Sequence, residues 1–74
     1  MSKVVTPHLD WSKPYYGVSH ADHPTMRRFA TVQSSDAVSE WWCYSWETHT
    51  HYAHGTVTGD SHEGRAKRAA EKAI

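Results

Sequence analysis

Residues 40–55 read EWWCYSWETHTHYAHG, with three tryptophans, two tyrosines and three histidines in sixteen positions. A run of this kind makes a hydrophobic core, a stacking platform for bases, or a metal site. In a strand, successive side chains point to opposite sides. Taken as one strand over residues 39–50, the segment places Trp42, Tyr44, Trp46, Thr48 and Thr50 on one face. Trp41, Cys43, Ser45, Glu47, His49 and His51 fall on the other. The first face is the more apolar and is the expected core. Trp41 is then left over, free to pack beneath another segment of the chain or to face a partner.

The rest of the composition explains why these aromatics matter. The chain has 74 residues, four Trp, four Tyr and one Phe, but a single Leu and a single Ile. A domain this small buries only about 60% of its unfolded surface, so aromatics and valines must carry the fold. One cysteine, Cys43, allows no internal disulfide and no cysteine-rich zinc module. The opening MSKVVTPHLDW is too polar for a signal peptide, and no apolar run reaches membrane length. These features predict a soluble, cytoplasmic protein with no membrane contact and no cofactor.

Charge is segregated although the formal net charge is zero. Residues 1–28 are basic on balance, residues 29–64 contain acidic groups and no Lys or Arg, and residues 65–74 are basic again. The aromatic stretch lies in the acidic block. Single-strand binders set their stacking aromatics in positively charged grooves, and Glu40 and Glu47 would repel a phosphate backbone. Nucleic acid is therefore an unfavoured partner for this strand.

Working outward, residues 1–14 have no clear period and read as an N-terminal arm, anchored by Leu9 and Trp11. Residues 15–74 read as one domain. Short strands are expected at residues 15–20, 26–33 and 56–58, separated by the breakers ADHPT and SSDA. From residue 60 the period changes. Asp60 with Glu63 three positions later has the form of a capping box, and Ala66, Ala69, Ala70, Ala73 and Ile74 follow at helical spacing. Arg65, Arg68 and Lys72 fall on another side, toward water. The expected fold class is α+β: a small antiparallel β-meander of three to four strands, with one C-terminal helix packed on one face. An alanine-faced helix paired with a Trp- and Tyr-rich sheet predicts that the helix covers Trp42, Tyr44 and Trp46.

Three sets of residues are candidates for function. The surplus aromatics Trp11, Tyr15, Tyr16 and Trp41 suit a protein interface, where Trp and Tyr dominate binding energy. Trp41 also leaves a homodimer open, with the same patch meeting itself. Arg65, Arg68 and Lys72 form a basic stripe for phosphate, an arrangement that in most helices is a solvated face. His49 and His51, roughly 6.5–7 Å apart along a strand, with His54 or His20 as a third ligand, outline a metal site. No GxSxG, phosphate loop, HExxH or Rossmann fingerprint occurs. A single cysteine on a strand is more often a structural residue than a nucleophile.

Two resemblances accompany these readings. The tail GTVTGDSHEGRAKRAAEKAI, residues 55–74, resembles the strand–helix segment of HicB-type antitoxins, with HYAHG standing where that family has a proline-containing loop. This resemblance implies an antitoxin-like or nucleic-acid-associated module. The whole chain, short, Trp-rich and cysteine-poor, with a GTVTGDS turn and an alanine-rich helix, looks like the small orphan proteins encoded by bacteriophages of actinobacteria. That resemblance implies a non-enzymatic protein that binds and modulates a host protein.

Overall fold

The computed structural model describes residues 8–74. Four strands, β1 (Val18–Asp22), β2 (Arg28–Ser34), β3 (Val38–Ser45) and β4 (Thr50–Thr58), precede one helix, α1 (His62–Ala73). The strands form one antiparallel sheet in the order β1-β2-β3-β4. The helix lies across β2, β3 and β4. The α+β meander with a C-terminal helix on one face is thus the fold of the chain.

Local chemistry moved several boundaries. The strand expected over residues 39–50 is broken at its end, because residues 46–49 form the turn between β3 and β4, with His49 at φ 56°. No Gly, Pro or Asn marks this turn, so the period-2 pattern of the segment runs on without a visible stop. β4 consequently starts at Thr50 and takes in residues 50–55, expected before as the end of one strand and a loop. At the other end, Tyr16 and Gly17 both have positive φ, 51° and 77°. They close a two-residue hairpin turn in which Tyr15 N–H donates to Val18 O at 2.9 Å and Val18 N–H to Tyr15 O at 3.1 Å. Gly17 is required there, since a Cβ would lie 2.6 Å from the Ser34 carbonyl oxygen.

The expected capping box does not form. The helix begins at His62 after Ser61 in a left-handed conformation, with no side-chain cap, and Glu63 pairs instead with Lys67 at 3.6 Å. Two other side chains secure this end. Arg65 donates from Nε to Asp60 O at 2.9 Å and from its terminal nitrogen to Thr58 O. His62 donates from Nε2 to Asp36 O at 3.3 Å, which leaves Nδ1 to accept from the Ser39 hydroxyl at 2.6 Å.

The helix covers the opposite face of the sheet from the one expected. Beneath it lie Ala30, Val32, Ser39, Cys43 and Ser45, all buried, against Ala66 and Ala70, while Ser19 and Ala21 of β1 are buried on the same face of the sheet. The reason is close approach. Alanines gain dispersion contact only when the backbones come near, and a row of tryptophans would prop the helix away from the sheet. Volume enters at the rim instead, through Leu9, Trp11, Trp41 and Ile74. Trp41 lies flat over the backbone of its cross-strand partner Gly55, where an added Cβ would stand 2.6 Å from Trp41 Nε1.

Two polar devices seal this core. Glu71 is buried, and its Oε2 accepts from Leu9 N–H at 3.1 Å and from Trp11 Nε1–H at 2.9 Å. A buried carboxylate is costly unless bonded, and these two charge-assisted bonds pin the arm to the helix. At the far end of the helix, a bulge in β4 makes Tyr52 an extra residue, since pairing passes from Cys43↔Ala53 to Tyr44↔His51. Tyr52 thereby reaches the helix terminus and donates to Ile74 O at 2.9 Å. The Arg28 guanidinium sits 5.1 Å from the Tyr52 ring centre and donates to the same oxygen at 3.0 Å, a cation at the negative end of the helix dipole.

Candidate functional site

With the helix on the small-residue face, the other face of the sheet carries the large side chains. Alternation along the paired strands sets them in rows. Asp22, Phe29, Tyr44 and His51 make one row from β1 to β4, and His20, Thr31, Trp42 and His54 make the next. Phe29, Tyr44 and Trp46 form a three-ring cluster, with centroids 5.2 Å apart for Phe29–Tyr44, 5.3 Å for Phe29–Trp46 and 5.0 Å for Tyr44–Trp46. His51 stands edge-on to Tyr44 at 4.9 Å. The tilted and T-shaped geometries are those that aromatic quadrupoles favour.

This surface is half open. Phe29, Trp42 and Tyr44 are half-buried, and Trp46 keeps 44% of its area exposed at the β3–β4 turn. Its backbone N–H donates to Arg27 O at 2.8 Å, which ties that turn to the β1–β2 connection and holds the ring over Phe29. The strand positions on this face include the carboxylates Asp22 and Glu40 and no Lys or Arg. The surface is aromatic and mildly acidic, rimmed by His20, His51 and His54.

The other candidates are scattered. Trp11 is bonded to Glu71 and lies 5.9 Å from the Lys67 ammonium, so it holds the arm in place. Trp41 belongs to the helix-covered face, so the surface expected for its self-association is already occupied by α1. Tyr15 and Tyr16 are 75% and 88% exposed and stack edge to face at 4.6 Å. They sit at the start of β1, the end opposite to the Asp22–Phe29 pair. Arg65 spends its donors on Thr58 and Asp60. Arg68 and Lys72 remain exposed, with Arg68 beside a shallow cleft of about 160 Å³ between the arm and the helix.

The histidines do not converge. His49 occupies the turn, so it no longer alternates in step with His51, while His20 and His54 stand on opposite edges of the sheet. Among the described residues no group of three or more His, Cys, Asp or Glu is placed to hold a metal ion.

Two contacts that resemble catalytic pairs are structural. Ser39 meets His62 but is fully buried, so its hydroxyl joins the helix start to the sheet. Cys43 is also fully buried, donates weakly to Ala70 O at 3.5 Å, and has its thiol pushed up to about 11 by burial. It stays protonated at neutral pH, the unreactive form. Burial raises the Tyr52 phenol as well.

None of the four residues of this aromatic face is among the sequence-based interface candidates: Trp42, Tyr44 and Trp46 are expected in the core, and Phe29 is not singled out. The signal was present in RFATVQ, where the small Ala30 and Val32 alternate with Phe29, Thr31 and Gln33. Among the described residues no helix is long and apolar enough to cross a membrane. No protein-family model matches the sequence, and no curated protein or solved structure matches it either.

Proposed function

We propose that this is a non-enzymatic interaction protein that docks another protein on the open aromatic face of its sheet. The observation that carries the reading is the Phe29–Tyr44–Trp46 cluster with Trp42 beside it, left half-exposed on the face away from the helix. Exposed aromatic patches of this kind mark interaction surfaces, and Trp and Tyr at their centres supply most of the binding energy. In the setting that the phage resemblance implies, the partner is a host protein of the bacterial cytoplasm, bound and modulated. The face argues against single-stranded nucleic acid, because its carboxylates replace the cations that phosphate binding needs.

The test is affinity capture from a bacterial lysate with the parent and with a Trp42→Ser, Trp46→Ser double variant of unchanged fold. A protein retained saturably by the parent and released by the double variant supports the reading. Equal retention by both, or no saturable partner for the parent, overturns it.

A further inference from the structure

The two outer edges of the sheet are finished differently. β1 is five residues long, and residues 12–15 run along its outer side, residues 1–7 of the arm lying outside the described residues. Ser12 N–H donates to His20 O at 2.9 Å, His20 N–H donates to Ser12 Oγ at 3.0 Å, and Tyr15 exchanges two backbone bonds with Val18. β1 also ends on a charge, Asp22. β4 is nine residues long, THYAHGTVT, with no charged residue and no proline. Among the described residues, no hydrogen bond from outside the sheet reaches the backbone of residues 50–57, and only the Thr58 carbonyl is covered, by Arg65. An edge strand presents alternate N–H and C=O groups outward, and proteins blunt such edges with short length, lysine, proline or a covering segment. β1 uses two of these devices. β4 has only its bulge at Tyr52, which leaves residues 53–57 as a regular, bare edge.

We propose that this edge pairs with β4 of a second copy of the chain, antiparallel about a two-fold axis, to form one continuous eight-stranded sheet. A copy fits for two reasons. The strand carries no charge, so two of them meet without like charges opposed, and the chain as a whole has zero formal net charge. The strand carries three threonines and one valine, residue types that pair well across strands. Such a pairing leaves both helices on one side and joins the two aromatic faces on the other. It does not depend on what docks on those faces.

Sedimentation equilibrium over the micromolar range, on the parent, Thr56→Lys and Trp42→Ser, tests the idea. Thr56 is exposed on the open face of β4, so lysine there leaves the core intact and opposes like charges only in the paired state. The parent is expected to dimerise, Thr56→Lys to weaken the dimer by about tenfold or more, and Trp42→Ser to leave it unchanged. Independently, hydrogen exchange on the parent is expected to show protection of amides in residues 53–57 that grows with concentration. A parent that is monomeric throughout overturns the proposal, as does a dimer weakened by Trp42→Ser and indifferent to Thr56→Lys, which is the mark of face-to-face association. Absence of concentration-dependent protection in β4 overturns it as well.

Discussion

On the side that meets α1, the sheet presents serine, alanine, valine and cysteine; on the other it presents phenylalanine, tyrosine and two tryptophans. The inner face is filled by short side chains at full burial, whereas the outer face holds far more apolar surface at half burial. Size therefore does not decide which face becomes core in this domain. The helix has alanines to offer, and alanines stabilise by proximity, so the sheet must be smooth where they land. The large rings are then free to face outward, shielding one another.

Substitutions on the two faces sharpen this contrast. The largest effect is expected for Ala70→Glu, which forces volume and an unpaired charge between α1 and the sheet at a site with no exposure. A loss of at least about 3 kcal/mol is expected, close to unfolding for a small domain. Arg68→Glu on the exposed side of the same helix is its control, and equal melting temperatures for the two would mean that the helix is not docked.

A smaller loss, about 1–3 kcal/mol by overpacking, is expected for Gly55→Ala. The new methyl meets the Trp41 indole, so a shift in tryptophan fluorescence should accompany the lowered urea midpoint. An unchanged midpoint would show that Trp41 does not rest on β4.

Least affected is Trp46→Ser, at about 1 kcal/mol or less, the scale of one aromatic pair beyond area burial. Thermal melts decide it. A collapse of the fold would place Trp46 in the core and reverse the assignment of faces.

Much of the architecture was legible along the chain. Helical spacing of Ala66, Ala69, Ala70, Ala73 and Ile74 gave α1, and period-2 alternation separated Trp41 and Cys43 from Trp42 and Tyr44 correctly. The solvent-facing side of Arg65, Arg68 and Lys72 also followed. The β3–β4 turn was hidden because WETH contains none of the usual turn residues; His49 takes a left-handed conformation just before Thr50, which pairs with Ser45. The capping box was misleading because Arg65 and His62 hold the helix start through carbonyls and a serine distant in sequence.

What the sequence determined by itself is local: the helix, the existence of the strands though not all their ends, and which side chains within a strand share a face. Those properties follow from backbone periodicity, which each segment carries alone. Which face lies under the helix was decided only by tertiary structure, because it depends on how near two surfaces can come. That distance is set jointly by Ala66 and Ala70 on one side and by Ala30, Cys43 and Ser39 on the other. The same holds for Glu71, whose burial makes sense only once Leu9 and Trp11, some sixty residues away in sequence, bring it two N–H groups.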